Sequence, residues 1–599
     1  MWGQSDTPQS ILKTVFGYDA FRGHQAAVID AVVRGEHAAI IMPTGAGKSL
    51  CYQIPAVLRQ GTAVVVSPLI ALMDDQVAAA HAVGIKAAAL NSSMPHQAQI
   101  EAEEALRSGD LDLLFVAPER ANLPGFHRLL LASEVALFAI DEAHCVSEWG
   151  HDFRPDYRQL GQLCDAFPGV PRIALTATAD ERTRLDILEQ LAIPASQLFV
   201  SGFDRDNIFY DVALKNSPSD QLKAFLKTQA EGCAGIVYCQ TRNKTEEIAA
   251  ALERAGYHAI AYHAGLEGEE RSRRQARFLR EDGLIMVATV AFGMGINKPD
   301  VRFVVHMGLP KSIEAYYQET GRAGRDGLPA HALMLWGAQD IVQARWFIQQ
   351  SGAPDAQKAV ELARLQTLVD YCETLECRRI PLLTYFGDDY QGPCNTCDTC
   401  LAPPEQEDVT DAMRKLLSAV YRTEQRFGLH YVVAVLRGEG DEKISRFGHD
   451  TLGVFGLGKD VPKAEWLDLG KLAQTKGYLE EGEHRAQRLT NAARPVLKGE
   501  EQVFQRKERV RKGAAKAKKK RSAAIDLPPE ARQVFDRLRA WRSQQAKAQA
   551  VPAYVIFPDA TLKAIALHCP LNEAELLQIS GVGQKKVERF GHEVLALIH

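Results

Sequence analysis

Three short stretches combine residue types that handle phosphate. Met42-Pro-Thr-Gly-Ala-Gly-Lys-Ser49 lies between the apolar run AAII and the helix-like LCYQIPAVL. In a strand–loop–helix setting the amides around Thr44, Gly45 and Gly47 can cradle phosphates. Lys48 can reach the β and γ oxygens, and the Ser49 hydroxyl can ligate Mg2+. Met42 stands where the usual pattern has its first glycine. About ninety residues on, the buried-type run Val135–Ile140 leads into Asp141-Glu-Ala-His144. Here Asp141 can hold the Mg2+ shell and Glu142 can accept a proton from the attacking water. In Gln318-Glu-Thr-Gly-Arg-Ala-Gly-Arg325, Arg322 and Arg325 share a face if the segment is helical, and a guanidinium there can stabilise charge on the γ-phosphate. Alone, these read as a glycine turn, a solvated acidic turn and a surface Arg/Gly loop. Together they describe one nucleotide site.

A fourth stretch suits a metal. Cys377, Cys394, Cys397 and Cys400 carry thiols at spacings that can enclose one Zn2+ tetrahedrally, and a set without histidine argues for a structural ion. Cys372 competes for the first position.

These residues need elements to hold them. Short apolar runs alternate with amphipathic stretches from about residue 20 to 205 (AAIIMP, TAVVVSP, LDLLFVAP, VALFAIDE, RIALTAT) and again to about 340 (GIVYCQ, AIAYH, LIMVATV, VRFVVHM, HALMLW). That pattern predicts two tandem parallel α/β sheets with a ligand cleft between them. The chain of 599 residues, 46% hydrophobic and 24% charged, has room for several domains and is neither fibrous nor disordered as a whole. No apolar run approaches the length of a membrane span, and MWGQSDTPQS lacks the basic-then-apolar pattern of a secretory signal, so the expected location is cytoplasmic with reduced thiols. The net charge of −5 conceals the run Arg506–Arg521, with ten basic residues and one acid, which reads as a basic tether.

With these motifs in order, the chain resembles the RecQ family of DNA helicases, bacterial type. PTGAGKS, DEAH, ALTATA (174–179), IVYCQTR (236–242), VATVAFGMGINKPDVR (287–302) and QETGRAGRDG (318–327) follow the family's order. GYDAFRGHQ (17–25) resembles its adenine-reading motif, in which Gln25 would bond the adenine edge, Arg22 support it and Tyr18 pack on the ring. CVSEWGHDFRPDYR (145–158) resembles its aromatic-rich loop, which senses single-stranded DNA. The resemblance gives Trp149, His151, Phe153 and Arg154 to DNA, and His144 to coupling with the ATP site. CRR (377–379), as in the family, favours Cys377 over Cys372 as the first zinc ligand.

The implied architecture is α/β: two RecA-like lobes (1–205 and 206–340), a helical zinc-binding module (341–402), a winged-helix (RQC) domain (405–505), a basic linker (506–524) and a small helical HRDC domain (525–599). The strand-separating hairpin is expected near Leu479–Arg488, with His484 a candidate for stacking. Gly581-Val-Gly583, with Lys585 and Lys586, either presents amides to phosphate or caps a helix. The implied activity is ATP- and Mg2+-dependent, 3′-to-5′ translocation on single-stranded DNA that unwinds duplex or branched DNA in recombination, repair and replication. A single-strand-binding protein is a candidate partner, and the setting is nucleoid-associated. An RNA helicase is disfavoured by the zinc, winged-helix and terminal modules. A nucleotide switch without turnover is disfavoured by intact Lys48, Glu142 and Arg325.

Overall fold

A computed structural model describes residues 6–507 and 527–599, leaving aside 69, 93, 149–152, 230–231, 294–297, 483–484 and 550. Seven parallel strands form the first sheet: β1 (Ala38–Ile41), β2 (Thr62–Val66), β3 (Ala87–Leu90), β4 (Leu113–Val116), β5 (Val135–Ile140), β6 (Arg172–Thr176) and β7 (Leu198–Val200). Their spatial order is β3-β4-β2-β5-β6-β1-β7. The β1 run is continuous in apolar residues because both its faces are covered. Ala38 and Ile40 enter one core, while Ala39 and Ile41 enter the other.

Six parallel strands form the second sheet: β8 (Ile208–Leu214), β9 (Ala234–Tyr238), β10 (Ala259–Tyr262), β11 (Ile285–Ala288), β12 (Val301–His306) and β13 (Ala330–Trp336), ordered β10-β11-β9-β12-β13-β8. One apolar core runs without a break from the first sheet through the second into the helical module, taking in Ile41, Ile236, Val304 and Leu368. That module hangs on β8, where Tyr210 bridges Cys397 and the Val212 N–H donates to Asp398 Oδ2 at 3.3 Å.

Residues 405–507 have their own core around Trp466, whose Nε1 donates to the Gly458 carbonyl at 2.9 Å. The domain contains two antiparallel pairs: β14 (Glu405–Asp408) with β17 (Phe504–Lys507), and β15 (Leu479–Glu481) with β16 (Gln487–Leu489). The second pair forms a hairpin where one was expected; the candidate His484 lies outside the described residues, as does most of the basic run. The terminal helices Pro529–Ala548, Asp559–His568 and Gln584–Ile598 enclose a separate core. Among the described residues no helix is long and apolar enough to cross a membrane.

Candidate nucleotide, metal and DNA-sensing sites

Parallel strands put the loops that follow them on one edge. Ile41 is in register with Thr176 on β6, and Ile140 of β5 with Ala174, so the phosphate loop and the carboxylates leave the sheet side by side. They stand about 10 Å apart, two strand spacings. Gly45 (φ +81°) and Gly47 (φ +87°) adopt the left-handed turn that shapes the loop. A Cβ on Gly45 would come 3.1 Å from Arg325 Cα, so the arginine loop of the second lobe rests directly on the phosphate loop of the first. Lys48 Nζ donates to the Met42 carbonyl at 3.1 Å. Ser49 caps the helix Leu50–Leu58 through its backbone, and its hydroxyl makes no capping bond.

Burial pushes the Lys48 ammonium below its usual range, and Glu142 and Asp141 oppose that push. Burial, then Glu142, raises the Asp141 carboxyl. Glu142 takes a left-handed conformation (φ 50°), and its Oε2 is buried without a hydrogen bond, 3.4 Å from His144 Nδ1. A magnesium ion fits this donor set: a half-buried carboxylate pair facing a half-buried lysine, with a hydroxyl at the helix start. Burial, with Arg322 and Arg205 beside it, pushes the Arg325 guanidinium below its ordinary range. Such crowding of cations favours an anionic ligand.

The arginine loop departs from expectation. The helix Ile313–Thr320 ends before both arginines, and 321–326 form turns with Gly324 at φ +58°. Arg322 and Arg325 therefore do not share a helix face. The turn brings them back because Gly324 N donates to the Val301 carbonyl at 2.8 Å. Side-chain bonds cross the cleft: among them, Thr44 Oγ1 donates to the Gly321 carbonyl at 2.9 Å, and Gln318 Nε2 donates to Thr178 Oγ1 at 3.0 Å.

Gln25 is buried with its amide turned onto the phosphate loop. Nε2 donates to the carbonyls of Ala46 and Gly47 at 3.1 and 3.0 Å, and Oε1 accepts from Arg22 N at 2.8 Å. Arg22 is exposed and Tyr18 half-buried. On the segment 145–158, Trp149 and His151 lie outside the described residues. Phe153 is half-buried, and Arg154 Nη1 donates to the Pro68 carbonyl at 3.2 Å. His144 is fully buried, with Nδ1 2.9 Å from Thr176 Oγ1. Tyr157, read from the sequence as one more aromatic of this stretch, instead donates to the Asp141 carbonyl at 3.0 Å and ties this segment to the carboxylates.

The Cys377, Cys394, Cys397 and Cys400 sulfurs lie within 4.8 Å of one another, with Cys394 and Cys400 3.8 Å apart. A tetrahedral site with zinc–sulfur bonds of about 2.3 Å needs sulfurs about 3.8 Å apart, so the four fit zinc. Cys372 is buried elsewhere on the helix Asp355–Glu373. Arg378 pairs with Asp398 through Nε–Oδ1 at 2.9 Å and Nη2–Oδ2 at 3.0 Å. Its Nη1 donates to the Tyr371 and Cys372 carbonyls, fastening the cysteine loop to that helix.

Gly581 N donates to the Gly17 carbonyl at 3.0 Å, and Gly583 caps the helix Gln584–Ile598. The glycine pair thus docks the terminal domain on the first lobe beside Tyr18. Ser543 Oγ donates to Asp282 Oδ2 of the second lobe at 3.0 Å. Tyr554 is buried within electrostatic reach of Asp75 and Arg325. The terminal domain therefore touches both lobes at the cleft.

Family models match in series along the chain: DEAD/DEAH box helicase at 22–187, helicase conserved C-terminal domain at 218–327, RecQ zinc-binding at 338–401, RQC domain at 403–514 and HRDC domain at 531–598. The chain is 44% identical to the ATP-dependent DNA helicase RecQ of Pasteurella multocida, over 99% of this chain and 93% of that protein. The protein of the same name from Haemophilus influenzae is also 44% identical, over 99% and 96%. That from Bacillus subtilis is 40% identical, over 97% of each.

Proposed function

Since this chain belongs to the RecQ family of DNA helicases, we propose that it hydrolyses ATP between its two lobes and uses the closure to move 3′-to-5′ along single-stranded DNA, unwinding duplex and branched DNA. The contact of the arginine loop with the phosphate loop supports this most directly, because it brings the two halves of a hydrolytic site to one place.

In this reading the loop amides and Lys48 hold the β- and γ-phosphates, while Arg322 and Arg325 take up charge that develops on the γ-phosphoryl group. Glu142 orients the attacking water and accepts its proton at Oε2, the buried acceptor that lacks a hydrogen bond. Mg2+ held by Asp141 and Ser49 would neutralise phosphate charge. Gln25 reads adenine after releasing its loop carbonyls, with Arg22 and Tyr18 completing that contact. Trp149, His151, Phe153 and Arg154 meet the strand, and His144 relays its presence through Thr176. Closing the cleft assembles these groups and opening it releases product, so each ATP gives one cycle of lobe movement.

The reading extends to recombination, repair and replication, to the SOS response, and to a place at the nucleoid in the cytoplasm. A single-strand-binding protein is a fitting partner, since unwinding produces the strand it coats. Unwinding of forked duplexes with either a 3′ or a 5′ tail, with and without ATP, tests the proposal. Strand release is expected only with ATP and a 3′ tail; equal release from a 5′ tail would overturn the polarity.

A further inference from the structure

The segment 201–207 joins the last strand of the first lobe to the first strand of the second. Covalently it is the hinge, and Arg205 at its centre folds back into the nucleotide cleft. Its guanidinium bonds backbone carbonyls from both sides. Nη1 donates to Thr44 of the phosphate loop at 2.7 Å and to Gly321 of the arginine loop at 3.3 Å. Nη2 donates to Ala323 and Gly324, each at 2.9 Å. We infer that Arg205 is a positioning residue that sets the phosphate loop against the arginine loop when the lobes close on ATP. The inference rests on the proposed ATP hydrolysis.

A peptide unit is planar, so fixing its carbonyl fixes the N–H on its far side. The Thr44 carbonyl shares its plane with the Gly45 amide of the phosphate cradle. The Gly321 and Gly324 carbonyls share theirs with the amides of Arg322 and Arg325. One guanidinium therefore orients a phosphate-binding amide together with the backbone roots of both arginines. Only a planar fork of donors reaches all four acceptors; an ammonium is a single point on a flexible stem.

The hinge itself is held from outside the cleft. Asn207 Nδ2 donates to the Gly324 and Leu328 carbonyls, both at 2.8 Å. Arg379, two residues beyond the zinc-site Cys377, donates through Nη2 to the carbonyls of Arg205, Asp206 and Ile208 at 3.0, 3.2 and 2.9 Å. The backbone beneath Arg205 is thus fixed by the zinc module, while its side chain reaches both loops.

The test measures binding of a fluorescent ATP analogue, DNA-stimulated hydrolysis and thermal unfolding for full-length Arg205→Ala and Arg205→Lys, with Lys48→Ala in parallel. Both Arg205 variants are expected to bind nucleotide within about threefold of the parent, while kcat falls on the order of 100-fold, the scale of losing preorganised polar groups. Guanidinium ion at low millimolar concentration is expected to restore part of the rate to Arg205→Ala but not to Arg205→Lys, whose side chain fills the space. Normal kcat in either variant overturns the inference. So does a lost rate that tracks lost folded protein and shows no rescue. Should Arg205→Ala not fold, Arg205→Lys, which keeps stem and charge, decides by its split of kcat from binding. Hydrolysis surviving in Lys48→Ala would refute the ATPase reading and this inference together. Hydrolysis lost there but kept in the Arg205 variants would refute this inference alone.

Discussion

Thr44 Oγ1 donates to the Gly321 carbonyl at 2.9 Å, joining residues 277 positions apart across the cleft between the lobes. The bond links the phosphate loop to the turn that carries Arg322 and Arg325.

Lys48 stands on the phosphate loop, where Glu142 and Asp141 favour its charged form against the pull of burial and Arg325. Lys48→Ala is expected to lower DNA-stimulated phosphate release by roughly 100- to 1,000-fold, the usual cost of one preorganised electrostatic group. A steady-state phosphate assay near the parent rate would contradict the assignment.

Tyr157 connects the DNA-sensing segment to Asp141 through one hydrogen bond. Tyr157→Phe removes a bond worth about 1 kcal/mol and leaves the ring packing in place. The ratio of ATPase with and without single-stranded DNA is expected to fall severalfold while basal turnover stays within twofold. Arg154→Ala and Trp149→Ala are expected to lose the stimulation altogether. An unaltered ratio in all three would remove the sensing role.

Metal analysis of the purified protein is expected to give about one zinc per chain. Cys397→Ser should lose it together with several degrees of thermal stability, whereas Cys372→Ala should keep it. Zinc retained in the first variant and lost in the second would reassign the ligands.

The junction between the zinc module and the winged-helix domain depends on pH. Glu373 lies 3.7 Å from Lys476, yet burial outweighs that cation and raises the carboxyl to about 7. An acid whose pKa is higher folded than unfolded gives stability that is complete below about 4.5 and lost as pH climbs through 7. Glu373→Gln mimics the neutral acid and should remove that decline. Its melting temperature is expected to gain on the parent between pH 5 and pH 8, by the equivalent of about 1–2 kcal/mol. Parallel curves for the two proteins would count against the buried carboxyl.

Two of the contacts that dock the terminal domain can be altered together. A Cβ on Gly17 (φ +73°) would sit 2.6 Å from the Val582 carbonyl carbon, and Asp282 accepts from Ser543. Gly17→Ala combined with Asp282→Ala is expected to release the domain and increase the radius of gyration in solution scattering. Because Tyr554 lies within electrostatic reach of Arg325, basal ATP hydrolysis should rise a few-fold. Scattering and hydrolysis both unchanged would refute the docking.

Chemistry was more legible in the residues than geometry was. The five buried runs identified in each lobe are strands, since strands covered on both faces are written as unbroken apolar runs. Three strands went unread. β3 is nearly all alanine, β7 is three half-buried residues at a sheet edge, and the apolar run of β8, also an edge, is broken by Asp211. The zinc ligands were readable because a metal needs particular atoms at close spacing. Arg205 was not readable, because its partners are backbone carbonyls, which any residue supplies and which only the fold brings together. Arg322 and Arg325 would share a face only in a helix, and the helix ends at Thr320 with Gly321 as its C-cap, while Gly324 turns the chain between the two arginines.

The hydrogen bond between Gly581 and Gly17 spans some 560 residues. At about 5–20 residues per second of synthesis, roughly half a minute to two minutes pass between the ribosome making one partner and making the other. The stretch beside Tyr18 therefore emerges first and is finished last. A nascent first lobe spends that interval with its turn at Gly17 uncovered, open to solvent and chaperones until the terminal domain arrives to seal it.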